Sequence, residues 1–510
     1  MKRSFYIIFT LGFLIFWSSC RKDFDFSPST GRLEFSKDTI YLDTVFTNTG
    51  SSTYNLKVYN RSNDDIFIPS IKLALGESSN YRLSVDGLAG KQFENIELLA
   101  KDSLFIFVET TIDINSFPDT NGTFLYTDKI EFDSNSNLQT VELVTLIQDA
   151  VFIYPNRDNT TKVIETLTLS VGGELVETEL QGRELLPEEL TFTNNKPYVV
   201  YGFAAVPNGE TLTIDAGARV YFHSDSGLIV SDGASLQVNG TFSNDQDTLE
   251  PTFSDVPGQW GTIWLLDGSV NNIINYATIK NATVGILCDG NPNDVNNKLT
   301  ITNSQIYNSS SFGILGRNTS IVGENVVINN AGQSSFAGTI GGKYNFTHST
   351  IVNYWDNGFR SAPSVFLNNY VESENNTVII TDLTEANFNN CIIYGNDNPE
   401  ILLDEIEDEA VSFNFKFTNC LIRFEDNNNN FTGANYDLND TNRYENNIFN
   451  ENPDFKDPDL NMLIIGDESA AINKGLAAFA IQVPFDILNV NRTTSPDLGA
   501  YQYITFPEED

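Results

Sequence analysis

Apolar residues in the central part of the chain recur in short alternating bursts and not at the three- and four-residue spacing of a helix. Six stretches between 274 and 426 superimpose: Ala277-Thr278-Ile279-Lys280-Asn281, Ser304-Gln305-Ile306-Tyr307-Asn308, Val326-Val327-Ile328-Asn329-Asn330, Ser349-Thr350-Ile351-Val352-Asn353, Cys391-Ile392-Ile393-Tyr394-Gly395 and Cys420-Leu421-Ile422-Arg423-Phe424. The central isoleucine recurs at intervals of 27, 22, 23, 42 and 29 residues. A repeat of roughly 20–30 residues predicts a solenoid, and the two-residue alternation makes its stacked element a strand. Neighbouring strands lie about 4.8 Å apart, so equivalent residues stand above one another. The isoleucines then form a buried column. The column two residues earlier (Ala277, Ser304, Val326, Ser349, Cys391, Cys420) also points inward, and its mostly small side chains let the strand lie close to the core. Four stretches carry Asn two residues after the isoleucine, where stacked amides can bond from coil to coil. In this register Cys391 and Cys420 are adjacent buried rungs and not a disulfide. The 42-residue interval predicts an extra coil or a loop over 361–385, and loops on such a stack are usual places for function.

Other segments show other patterns. From 33 to 150, short alternating strands such as Tyr54-Asn55-Leu56-Lys57-Val58-Tyr59 and Ser103-Leu104-Phe105-Ile106-Phe107-Val108 are separated by polar turns, which predicts an antiparallel β-sandwich. Residues 151–190 read as a connector with a short helical stretch at 182–189. Residues 191–450 read as a β-helix, and 451–510 as the cap over its last open core and edge. The fold class expected is all-β throughout.

Several of these segments resemble known families. Thr44-Val45-Phe46-Thr47-Asn48-Thr49-Gly50 with Leu56-Lys57-Val58-Tyr59-Asn60 resembles the immunoglobulin-like domains of the ASPM/SPD-2/hydin type, which implies a spacer or interaction module. The run Leu212-Thr213-Ile214-Asp215-Ala216-Gly217 through Gly258-Gln259-Trp260-Gly261-Thr262-Ile263-Trp264 resembles the opening coils of pectate-lyase-like right-handed parallel β-helices. The closing segments Asp486-Ile487-Leu488-Asn489-Val490-Asn491-Arg492 and Pro496-Asp497-Leu498-Gly499-Ala500-Tyr501-Gln502 resemble the terminal segment of many bacterial proteins of that fold.

The N-terminus has Lys2 and Arg3, an apolar run from Phe5 to Trp17, then Ser18-Ser19-Cys20, the pattern of a signal peptide over 1–19. The apolar run is too short to span a bilayer as a helix. Cys20 after small residues resembles a bacterial lipobox, which implies lipidation at Cys20 and a polar tether over 20–32. Arg21, Lys22, Asp23 and Asp25 resemble the tag that directs Bacteroidota lipoproteins to the outer face of the outer membrane. Asp-Ser/Thr-aliphatic triplets, Asp38-Thr39-Ile40 and Asp247-Thr248-Leu249 among them, resemble O-glycosylation sites of the same group.

The formal charge of −39, from 68 acidic against 29 basic residues, excludes nucleic acid as a partner. It is compatible with Ca2+ held by oxygen ligands; no other cofactor is indicated. The four cysteines, one of them Cys20, lack metal-ligand spacing.

Pectate-lyase-like proteins often cleave polysaccharides, which takes clustered carboxylates with a nearby base. The outward positions beside the isoleucine column are instead Lys280, Tyr307, Asn329, Val352, Tyr394 and Arg423, and the neighbouring outward column is Thr278, Gln305, Val327, Thr350, Ile392 and Leu421. This is a poor lyase site. Lys280, Tyr307, Tyr394 and Arg423 form instead an expected exposed strip, where tyrosine rings stack on sugars and cations bond hydroxyls or uronates. Trp355 and Phe359 flank the suspected loop. His223 and His348 lack catalytic partners in the sequence, and His348 is expected to point outward. The expectation is a monomeric surface lipoprotein that binds a glycan or another surface partner without catalysis. The alternatives are a polysaccharide lyase or glycoside hydrolase with an unfamiliar site, and a purely structural or adhesive element.

Overall fold

The computed structural model describes residues 25–506 apart from 118–121, 134, 172–173, 243–255, 291, 294, 374 and 376. Cys20, the expected signal peptide over 1–19 and the triplet at 247–249 lie outside the described residues. The chain divides into two compact units, Met1–Ala150 and Val151–Asp510, and its regular structure is almost entirely strand.

The first unit has two sheets. One runs Ser27–Pro28, Ile66–Leu73, Thr123–Phe132, Gln139–Gln148, Thr39–Phe46, with Gln92–Leu98 also on Ile66–Leu73; the other runs Glu34–Phe35, Tyr54–Tyr59, Ser103–Thr110, Tyr81–Val85, Leu88–Gly90. Most neighbours are antiparallel, but Thr39–Phe46 runs parallel to Gln139–Gln148. Alternate residues of both sheets (Ile40, Leu42, Leu56, Val58, Ile106, Val108, Val141, Leu143) meet in one buried cluster, as two-residue alternation requires.

The second unit is a stack of parallel strands. Its seven-stranded sheet runs Thr278–Lys280, Gln305–Ser309, Val327–Ala331, Thr350–Asn353, Ile392–Gly395, Leu421–Ile422, Ile448–Phe449. Ile279, Ile306, Ile328, Ile351, Ile393 and Ile422 are in register one above another, and Phe449 supplies a seventh rung. All six isoleucines lie in the main core cluster. Thr350–Asn353 pairs directly with Ile392–Gly395, so the long interval holds no extra coil in this sheet. It holds the strand Val365–Asn368 and a protruding antiparallel hairpin, Tyr370–Glu372 with Val378–Ile380.

An 18-stranded sheet forms other sides of the stack, with a separate three-stranded sheet of Val151–Ile153, Tyr198–Val200 and Val220–Phe222 near its start. Its long strand Phe312–Glu324 pairs with Ala282–Asp289 through its first half and with Leu299–Thr302 through its second, so it turns a corner. Phe346, Phe388, Phe417 and Tyr444 stand in register inside, with successive rings nearly parallel and 5.0–5.7 Å apart.

Left-handed turns separate these strands, and asparagine supplies most of them because it tolerates positive φ. Asn303, Asn325, His348, Asn390, Asn419 and Asn446 all have φ near 50° and stand just before the inward column. The expected amide ladder is present on the other side of the isoleucines. Asn308 donates to Asn281 at 3.4 Å and Asn330 to Asn308 at 2.7 Å. It stops at Asn353, whose amide bonds the backbone of Ala331 and leaves the Asn330 Oδ1 unpartnered. Cys391 and Cys420 are fully buried neighbouring rungs without a disulfide.

Three boundaries differ from the sequence reading. Val151–Ile153 pairs with Tyr198–Val200 and Gly182–Glu184 with Phe203–Ala205, so 151–190 already belongs to the stack. The stretch 182–189 is the end of a strand and one short 3-10 turn, not a helix. The core at the far end is closed by residues 424–449: Phe424, Phe431, Tyr436 and Tyr444 pack on it, and the Tyr436 hydroxyl donates to the Leu403 carbonyl and accepts from its N–H. The residues after 450 lie elsewhere.

Candidate functional site

The C-terminal segment runs along the outer face of the seven-stranded sheet. Leu463, Ile465, Ala471, Ile487, Leu498, Ala500 and Tyr501 pack on Val327, Val352, Ile392, Tyr394 and Leu421. Hydrogen bonds fix it to successive coils: Asn329 Nδ2 to the Pro458 carbonyl, Ala500 N to Thr350 Oγ1, Gly499 N to the Asn390 carbonyl. The segment is thus a lateral cover and not an end cap. Asp486, Arg492 and Asp497 from its two motifs are buried organisers. Asp486 accepts from Leu488 N, Val490 N and Gln502 N, and Asp497 from Asn473 N and Tyr503 N. Arg492 donates to the carbonyls of Gly499 and Ala500 and to Asn325 Oδ1.

The strip expected to be exposed is therefore corrected. Tyr307 is 5% exposed and Tyr394 9%, which leaves neither ring face open to a sugar. Lys280 and Tyr307 are register neighbours, and both have partners within the protein. The Arg423 guanidinium lies over the Tyr394 ring at 5.5 Å. The structure brings these four residues to one sheet face, but the two tyrosines on it are buried, while Lys280 and Arg423 are only partly exposed. His348 is also corrected: it is fully buried, and its Nε2 takes the Asn390 amide at 2.9 Å as one rung of an Asn-rich turn column. His223 is exposed and stacked on Tyr201. Trp355 and Phe359 sit on the loop 354–364, with Phe359 93% exposed. That loop is held by the buried pair of Arg360 with Glu400, at 2.8 Å.

The better candidate lies on the 18-stranded sheet. Trp264, Leu287, Leu315, Ala337, Phe366 and Leu402 occupy one register column, and none belongs to the main core. Alternation explains this: Ile286, Ile314, Phe336, Val365 and Ile401, one residue earlier, face inward. Trp264, Leu287, Leu315, Phe366 and Leu402 are partly exposed. At its lower end the column meets the hairpin Thr166–Val171 with Glu174–Glu184, where Leu167, Leu169 and Leu180 pack with Ile229 and Trp264.

Two residues on, a polar column runs parallel: Asp289, Arg317, Thr339, Asn368 and Asp404. Arg317 grips Asp289 with two bonds of 2.6 Å, and the Trp264 indole N–H donates to the same carboxylate at 2.8 Å. That fixes the indole plane, and the Asp289 carboxylate raises the affinity of Arg317 for its proton. Farther along, the Tyr370 hydroxyl donates to Asp404 at 2.7 Å, which pushes its pKa up to about 12. Next to Asp289 and Arg317, the turn residues Gly290 and Asn318 open into a cleft of about 520 Å3. Asp267, Asn293, Thr381 and Asp382 also line it. Backbone and hydroxyl donors from Ser412 hold the Asp382 carboxyl below its usual range. Among the described residues no group of three or more His, Cys, Asp or Glu could hold a metal ion.

No family model matches the chain, and no curated protein matches it. Solved structures show only slight likeness. The periplasmic chaperone SfaE is 12% identical over 23% of this chain and 57% of its own, with a TM-score of 0.16. The E. coli chaperone DraB is 12% identical over 30% of this chain and 80% of its own, with a TM-score of 0.17. The Agl-KA catalytic domain is 12% identical over 74% of this chain and 81% of its own, with a TM-score of 0.14. Scores this low carry no argument about fold or activity.

Proposed function

We propose that this chain is a surface lipoprotein, anchored through Cys20, that binds glycans without cleaving them. In this reading the first unit is an immunoglobulin-like spacer and the second a right-handed single-stranded parallel β-helix. One observation carries the binding role: an outward apolar column with two partly exposed aromatic rings, Trp264 and Phe366, lies beside a polar column and an open cleft. Pyranose rings have apolar C–H faces and hydroxyl edges. Fixed aromatic and aliphatic side chains suit the faces, while Asn368, Thr339 and the Asp289–Arg317 pair suit the edges. The spacing of about 4.8 Å between rungs presents these groups repeatedly along the axis, as a linear polymer needs.

Retention of the purified protein on a panel of immobilised polysaccharides, with product analysis, tests this. Retention without new reducing ends or unsaturated products is expected. Trp264→Ala and Phe366→Ala should each weaken it about tenfold, given the usual worth of a central aromatic anchor. Circular dichroism confirms that each variant is folded. Undiminished retention by both folded variants would show that this face is not the site, and cleavage of any polymer would replace binding with catalysis.

A further inference from the structure

We infer that the ligand of this face is an uncharged glycan and that the site rejects uronate polymers; this rests on the glycan-binding reading above. The geometry points to it through charge. Asp267 and Asp382 line the cleft, while Asp289 and Asp404 stand in the adjoining polar column. Only one cation stands in that column, Arg317, and its charge is already paired with Asp289, which takes its Nε and Nη2 in two bonds of 2.6 Å. Lys298 is buried, and its ammonium donates to the carbonyls of Leu266 and Asp267; Lys343, on the strand beside Thr384, faces Glu385 at 3.9 Å. Among the described residues that line the cleft, none carries a guanidinium or an ammonium.

A uronate needs a cation or a metal ion at its carboxylate, because a desolvated charge without a partner is costly. Here it meets carboxylates on both sides, on a chain whose net charge is −39. The repulsion is long-ranged at low salt and short-ranged at physiological salt. A neutral pyranose has no such conflict. Its hydroxyls can donate to Asp267, Asp382 and Asp404, and charged acceptors make the stronger hydrogen bonds. The side chains beside them (Leu287, Leu315, Phe366, Leu402) offer only apolar contact to the ring faces.

The test is affinity electrophoresis of the intact protein in gels containing a neutral glucan, a neutral mannan, polygalacturonate, alginate or a deacetylated amino-sugar polymer, at about 150 mM salt. Retardation by a neutral polymer at least about tenfold stronger than by either uronate is expected. The Asp267→Asn variant should narrow that gap about two- to threefold, the effect of one charge at close range in water. Stronger retardation by a uronate that Trp264→Ala abolishes would overturn the charge assignment and leave the glycan site standing. Retardation by the cationic polymer alone, lost as salt is raised, would mark mere charge attraction and overturn both. Retardation by none of the polymers would also overturn both.

Discussion

At the scale of single residues, the most informative position is His348. It occupies a left-handed turn where five equivalent coils place asparagine, at φ 50°, and it is enclosed by Asn390 and the C-terminal segment. Burial holds its pKa well below the ordinary value, and the nearby Arg492 acts in the same direction, against the carbonyls of Asp497 and Gly499. The imidazole is therefore neutral in the fold, while in the unfolded chain it protonates near pH 6.5. Below that pH the unfolded state binds more protons, so this contribution to stability is intact above about 6.5 and falls as the pH drops. The slope approaches about 1.4 kcal/mol per pH unit. Buried Asp486, Asp497 and Glu400 have raised pKa values and act with opposite sign at lower pH, so the wild type alone does not isolate the histidine. The difference between wild type and His348→Asn does. Asn accepts the same φ and can continue the amide column, so the variant should gain on the wild type steadily from pH 6.5 to 5 in urea denaturation. A constant difference across that range would mean that His348 does not titrate on unfolding.

At the scale of elements, the C-terminal cover is what the rest of the site depends on, because it decides which sheet face is surface. It lies tightly against the sheet at Gly499, where φ is 84° and an added Cβ would lie 2.7 Å from Thr350 Oγ1 and 2.8 Å from Ile392 Cδ1. Gly499→Ala combines backbone strain with a clash, and should cost about 2 kcal/mol or more. It should also make 451–506 the first segment cut in limited proteolysis; unchanged midpoint and cleavage pattern would mean that the segment is held otherwise. In the core, Ile351→Ala should cost about 2–5 kcal/mol by thermal unfolding, as for other large-to-small changes without collapse. The isoleucine column was legible in the sequence because a stack repeats its own address: the same residue type in the same two-residue alternation, six times over. The cover was not legible, because it depends on a contact between Thr350 and Ala500 that no local period encodes. A signal was nevertheless present. Val327, Val352, Ile392 and Leu421 stand at outward positions, and four aliphatic residues on an outer face ask for something to cover them. The tyrosines among them read as a sugar platform only while the face is taken as free. On the other sheet, Trp264, Asp289 and Arg317 are separated by 25 and 28 residues and belong to no motif, so only the register brings them together.

At the scale of the whole molecule, two separate cores share one strongly negative chain. The buried clusters of the first and second units have no residue in common, so each can melt as its own cooperative block. A charge of −39 opposes compaction in both. Ion pairs offset little of this. Arg61–Glu34, Lys129–Glu142 and Lys416–Glu445 are half-exposed, and such pairs contribute about 0–1 kcal/mol each. Screening therefore acts mainly on repulsion. Between about 10 and 150 mM salt the screening length falls from about 30 to about 8 Å. Calorimetry should accordingly show two transitions whose midpoints both rise with salt over that range, by a few degrees. The buried Arg360–Glu400 pair lies inside the second unit and is screened little, so it does not reverse the trend there. A fall in either midpoint with added salt would mean that attraction dominates in that unit, and the acidic surface would then need an explanation other than solubility.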